Sequence, residues 1–330
     1  MCYTLSIPMN RRFIGLVVVL AAFASPFLAQ AAQIYLDPAT GKYPPGVTFG
    51  VDVRLDNQGQ CINAAQVDLA YPTNLLQAVG ASDGDSILTL WVKPPTIYAE
   101  YGVVSFVGGL PGGYCGRVTG DPSLSNKLAT IYFRFPTSSA AVAAATILQN
   151  AKLTFVSSTR AVLNDGLGTY ASLSTGGATY SPQLLKGQYL PVDALQQVLA
   201  NDTTSPEPFN IGIYHDPSLF SGQWFTVFST VDKQTGIDHY EVAEVPTANL
   251  NLPQNQWNWV RAVSPYLIRN QNLNEMVAVR AIDMAGNARV EEYNPPTAPH
   301  LNNWQVAMLP YLAIISIAGF TLFQILIHLL

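Results

Sequence analysis

The residues with the types and spacing for chemistry are few. Gly80-Ala81-Ser82-Asp83-Gly84 spells the G-x-S-x-G pattern in which a sharp strand-to-helix turn thrusts a serine nucleophile out of a sheet. Here a strand leads into more β structure rather than into a helix, so Ser82 is not expected to be a nucleophile. Neither His215 nor His239 has a second His or Cys at metal-ligand spacing, so a zinc site is unsupported and exposed loop histidines are the expectation. His300 and His328 fall in a C-terminal stalk and an apolar tail. Asp83 with Asp85, and Asp202, Asp232 and Asp283, offer oxygens of the kind calcium takes, but no twelve-residue loop pattern surrounds them. Capping of turns is the commoner role of such aspartates. No stretch singles out an acid and a nucleophile for glycoside hydrolysis. The expectation is therefore no catalytic residue, no resident cofactor and no metal, with calcium the one ion whose ligand type is present. Trp224, Trp257 and Trp259 are expected to pack in or beside a core rather than to form a sugar-stacking platform.

The cysteines report on compartment. Arg11 and Arg12 precede an apolar run ending in Ala29-Gln30-Ala31, which reads as an export leader over residues 1–31. Cys2 leaves with that leader. Cys61 and Cys115 remain as an even pair in an oxidising environment, where a disulfide is favoured over two buried thiols. Such a bond would stabilise by roughly 3 to 4 kcal/mol in the chain-entropy treatment. At the other end, residues 305–330 contain no Asp, Glu, Lys or Arg, and a helix of that length exceeds the ~30 Å hydrocarbon core. A membrane-spanning helix is expected over residues 304–330, with the preceding domains outside the cell surface. The formal net charge is -5, with no Lys/Arg cluster, which excludes nucleic acid as a partner class.

Between the termini, short alternating or apolar runs are broken by Gly, Pro, Asn and Asp, the pattern of an all-β protein. Strands are expected at 33–36, 47–55, 65–71, 75–81, 97–101, 103–107, 128–135, 152–157 and 171–174, one sandwich-sized unit. Residues 183–205 read as a linker. A second β unit follows over 206–293, with strands at 210–214, 224–229, 238–244, 257–261, 266–268 and 276–283, and residues 294–303 form a stalk.

Residues 32–182 resemble a cohesin domain. The likeness rests on Pro45-Gly46-Val47-Thr48-Phe49-Gly50-Val51-Asp52-Val53, Ala64-Ala65-Gln66-Val67-Asp68-Leu69-Ala70-Tyr71, the turn Tyr71-Pro72-Thr73-Asn74-Leu75-Leu76, and Leu128-Ala129-Thr130-Ile131-Tyr132-Phe133-Arg134-Phe135. The second unit resembles bacterial Ig-like or fibronectin-type modules through Gly236-Ile237-Asp238-His239-Tyr240-Glu241-Val242 and Val279-Arg280-Ala281-Ile282-Asp283-Met284-Ala285-Gly286-Asn287. These resemblances imply a jelly-roll β-sandwich followed by an Ig-like β-sandwich. They also imply that the first module binds a calcium-loaded dockerin, or a polysaccharide, through one flat sheet face.

Strand alternation makes that implication specific. Val67, Leu69 and Tyr71 should face inward and turn Gln66 and Asp68 to solvent; Ile131, Phe133 and Phe135 should do the same for Thr130, Tyr132 and Arg134. The resemblance implies that these outward residues, with Ser105, line the binding face; the alternative is an ordinary solvated sheet face. The functional expectation is a non-catalytic cell-surface binding or adhesion protein for a protein or polysaccharide ligand. The alternatives are a structural envelope or stalk component, or an accessory to a glycoside hydrolase system.

Overall fold

The computed structural model describes residues 31–117, 126–137, 149–183 and 192–294. Residues 1–30 and 295–330, which hold all of the expected leader, stalk and membrane-spanning segment except Ala31 and Asn294, lie outside the described residues, as do Cys2, His300 and His328. Among the described residues no helix is long and apolar enough to cross a membrane. The chain divides into two compact units. The first is Met1–Thr203 with Val231–Gly236, and the second is Thr204–Thr230 with Ile237–Leu330.

The first unit is a two-sheet β-sandwich. Its strands are β1 (Ala32–Asp37), β2 (Thr40–Tyr43), β3 (Thr48–Asp56), β4 (Ile62–Ala70), β5 (Gln77–Ser82), β6 (Leu90–Tyr98), β7 (Val103–Tyr114), β8 (Lys127–Arg134), β9 (Ala151–Phe155), β10 (Arg160–Leu163), β11 (Leu173–Gly176) and β12 (Ala178–Pro182). One sheet runs β11-β1-β3-β8-β5. The other runs β2-β12-β9-β4-β7-β6, with β10 also paired to β4. Alternation decides what lies between them. Phe49, Val51, Val53 and Leu55 of β3 with Ile131 and Phe133 of β8 meet Val67 and Leu69 of β4 and Val104 and Phe106 of β7 in one buried cluster.

The chain crosses between the sheets twice in parallel. β1 and β2 lie in different sheets, and β11 and β12 follow them, pairing parallel to β1 and β2 respectively. Gly177 sits at the second crossing because a Cβ there would lie 2.5 Å from the carbonyl oxygen of Leu153, a backbone atom with nowhere to move. β2, β10 and β12 escape a reading of the sequence because each has only four or five residues and pairs with a distant partner. β6 begins at Leu90 rather than near 97. Pro94 and Pro95 mask it in the sequence, yet it is an edge strand whose register shifts on both sides of Lys93, where proline is tolerated.

Residues 183–205, expected to be a linker, contain a helix, α1 (Ala194–Asn201), assigned to the first unit. Asp193 caps it, its Oδ1 accepting from Gln196 N at 3.1 Å. The hydrophobic positions Leu195, Val198 and Leu199 are spaced for one helix face.

The second unit holds β13 (Gly212–His215), β14 (Trp224–Val227), β15 (Ile237–Val245), β16 (Val260–Ala262), β17 (Tyr266–Leu267), β18 (Met276–Asp283) and β19 (Ala288–Tyr293), arranged as sheets β13-β14-β17 and β16-β15-β18-β19. Phe209, Phe228, Val242, Ile268, Val277 and Val279 form its core. A second cluster, Ala243, Val245, Met276 and Ala278, is packed by Trp257 and Trp259. The two indoles lie 5.8 Å apart just ahead of β16, donate to the carbonyls of Leu252 and Gln254, and Arg280 stacks 4.5 Å over Trp259. They pack on protein, as expected. His239 is not a loop residue: it lies on β15, with Nδ1 2.5 Å from Asp238 Oδ2 and Nε2 3.7 Å from Glu241 Oε1.

Candidate functional site

The six residues expected to share a face do not. Gln66 and Asp68 are on β4 and Ser105 on β7, in one sheet, whereas Thr130, Tyr132 and Arg134 are on β8, in the other. Both strand sets point their alternate residues into the common core, so the remaining ones point out of opposite sides of the sandwich.

The middle of the β8 side is covered. Thr130 and Tyr132 are only 8% and 6% exposed, contrary to the expectation that both meet solvent. The cause is α1. Asp193 Oδ2 accepts from Thr48 N at 3.3 Å, and the Leu195 side chain lies 3.1 Å, and the Tyr132 ring 3.5 Å, from where a Cβ on Gly80 would be. Gly50 and Gly80, flanking Tyr132 on β3 and β5, supply the room for that side chain. Beneath it, Thr130 Oγ1 donates to Asp52 Oδ1 at 2.6 Å, and burial together with the Asp52 charge raises the pKa of the Tyr132 hydroxyl.

The opposite face is open and ordered by side-chain bonds. Asp68 accepts from Ser158 Oγ at 2.6 Å and Gln66 Nε2 at 3.2 Å, and it is also hydrogen-bonded to Ser105. Ser105 in turn receives Lys93 Nζ at 2.8 Å, and Lys93 lies 4.7 Å over the Tyr98 ring. On the other flank Gln66 Oε1 accepts from Arg160 Nε and Nη2 at 3.0 and 2.7 Å, and Arg160 Nη1 donates to Tyr170 OH at 3.1 Å. The result is a continuous polar ladder across β6, β7, β4 and β10, from Tyr98 to Tyr170. Tyr101 and Tyr170 are 73% and 59% exposed beside it, and Val92 is 85% exposed on the edge strand. Ser105 itself is buried under Lys93, so it positions its neighbours rather than meeting a ligand.

Lys93, Tyr98, Ser158, Arg160 and Tyr170 were not singled out from the sequence. Most lie on or beside β6 and β10, the strands that the sequence hides. The legible signal was Asp68 itself, whose outward register picks out whatever strands flank β4.

Desolvation pushes the Asp68 pKa upward, but the hydrogen bonds from Ser105, Ser158 and Gln66 and the Lys93 charge outweigh it, so the net shift is downward from 3.8. A depressed carboxylate contributes stability above its unfolded value that is lost as pH falls through the folded one. We expect NMR titration to place Asp68 below 3.8 and Ser158→Ala to move it upward; an unshifted Asp68 would remove the ladder's electrostatic basis.

The other candidates for chemistry make hydrogen bonds or ion pairs within the protein. Ser82 Oγ donates to the Thr235 carbonyl at 2.6 Å and accepts from Gly84 N at 3.0 Å, and β5 runs into a turn rather than a helix. Asp232 Oδ1 accepts from the amides of Gln234, Thr235 and Gly236, and burial, reinforced by Asp202, raises its pKa against those bonds. Asp202 takes the Thr235 hydroxyl at 2.6 Å, Asp283 takes Asn287 N at 2.8 Å, and exposed Asp85 lies 3.7 Å from Lys127 Nζ. Cys61 and Cys115 are joined in a disulfide with Cα atoms 4.0 Å apart.

The chain is similar to solved cohesins. The sixth cohesin of scaffoldin B from Acetivibrio cellulolyticus, crystallised with a dockerin, matches at 15% identity over 47% of this chain and 100% of that one, with a TM-score of 0.35. The seventh ScaB type I cohesin of Pseudobacteroides cellulosolvens matches at 15% identity over 48% and 97%, TM-score 0.33. A cohesin from Clostridium acetobutylicum, solved in solution, matches at 12% over 47% and 92%, TM-score 0.34. No protein-family model matches the chain, and no curated protein does.

Proposed function

We propose that the first unit is a non-catalytic protein-binding module whose contact surface is the open outer face of the β6-β7-β4-β10 sheet. The observation that carries this reading is the polar ladder on that face, fixed in place before any partner arrives and bordered by exposed Tyr98, Tyr101 and Tyr170. Pre-ordered polar groups lose little entropy on binding, and tyrosines supply contact area at small conformational cost. Asp68, Lys93 and Arg160 leave the face with a cationic excess on a chain whose net charge is -5, which suits a partner presenting hydroxyls, acids and apolar side chains. The second unit we read as an Ig-like spacer. We read the chain as exported and held at a membrane by residues 304–330, as its leader and tail suggest.

The test is titration of the full chain with a calcium-loaded dockerin module, the partner that the cohesin resemblance suggests. Tyr98→Ala and Arg160→Ala are each expected to weaken binding about tenfold or more with the melting temperature unchanged. Failure of any dockerin to bind would count against that partner, and equal binding by both variants would refute the surface.

A further inference from the structure

A second site of different chemistry lies on the opposite side of the first unit. Gly46, Gln77, Arg134, Pro136 and Thr137 line a cleft of about 350 Å³ where β3 and β5 flank the end of β8. Arg134 Nη2 donates to Gln77 Oε1 at 3.2 Å, a neutral partner, and no carboxylate pairs with this guanidinium among the described residues. Because Gln77 engages Arg134 through its oxygen, its amide nitrogen remains a donor, and the Thr137 hydroxyl adds a third polar group. Gly46, at φ +84, keeps the wall low: a Cβ there would lie 2.7 Å from Thr137 Cγ2.

We propose that this cleft binds a carboxylate ligand of monosaccharide size, held by Arg134. A planar guanidinium matches a carboxylate in a two-bond fork, and the Gln77 amide and Thr137 hydroxyl suit hydroxyls beside it. One cation balances a single charge, and a chain of net charge -5 disfavours a dianion such as phosphate. Pro136 offers the C–H face of a sugar ring an apolar surface.

Equilibrium dialysis of the full chain against labelled glucuronate, glucose and acetate tests this. Saturable glucuronate binding is expected, weakened at least about tenfold by Arg134→Gln and partly restored by Arg134→Lys, while glucose stays unbound. Acetate binding as well as glucuronate assigns the site to small carboxylates at large, and tighter glucuronate assigns it to acidic sugars. Glucose binding as well as glucuronate would overturn the proposal, as would Arg134→Gln binding like the parent chain. Matching melting temperatures for the variants separate lost binding from lost fold.

Discussion

Replacing Phe133 by alanine is expected to destabilise the first unit by about 3 to 5 kcal/mol. Phe133 is fully buried near the end of β8, and its ring lies 5.4 Å from Tyr71, just past the end of β4 in the facing sheet, and 6.3 Å from Phe49 of β3 beside it. Truncation would leave a void that neither sheet can close without breaking its ladder. A loss of that size is a large part of the ~5 to 15 kcal/mol that keeps a domain folded, and corresponds to a melting point lower by roughly 10 °C. The adjacent Tyr132→Ala provides the informative comparison. If Tyr132 met solvent, the change would be nearly silent. Buried beside α1, it is expected to cost about 2 to 3 kcal/mol, and Leu195→Ala should cost less once Tyr132 is gone, because both side chains border Gly80. Chemical denaturation of the two single variants and the double variant reads all three quantities. A silent Tyr132→Ala would mean that α1 does not cover β8 in solution.

Loss of the Cys61–Cys115 bond is expected to have an effect of similar size. It closes a loop with a sequence separation of 54, and the chain-entropy treatment assigns such a closure about 4 kcal/mol. It joins the start of β4 to the far end of β7, the strands that carry Asp68 and Ser105, so the binding face should loosen with the rest of the unit. Paired Cys61→Ser and Cys115→Ser substitutions should lower the urea midpoint, and adding reductant to the parent chain should reproduce the drop. Coincident midpoints with and without reductant would show that the bond adds no stability.

Much of the first unit was legible because each strand turns one face to the core, and alternation marks that face. In β3, β4 and β8 hydrophobic residues recur at every second position, and period two sorts Val67 from Asp68 and Phe133 from Tyr132 without any structure. Cys61 and Cys115 were likewise readable as a pair, since a chain read as exported and left with two cysteines has one simple pairing.

Which side of the molecule an outward residue occupies was not legible. Alternation says only that Asp68 and Tyr132 leave the core; strand order then sends them from opposite faces, and strand order depends on pairings far apart in the chain, such as β4 with β7 and β3 with β8. Nor does a residue's own strand reveal what lies over it. α1 lies more than sixty residues after Tyr132 in the sequence, yet it buries that ring, while Asp68 and its ladder stay open. The secondary structure class and the inward-facing residues follow from local periodicity and need no fold to be read. Which outward residues stay open emerges only once the sheets and α1 are assembled, because covering a surface is an interaction between segments that share no local pattern.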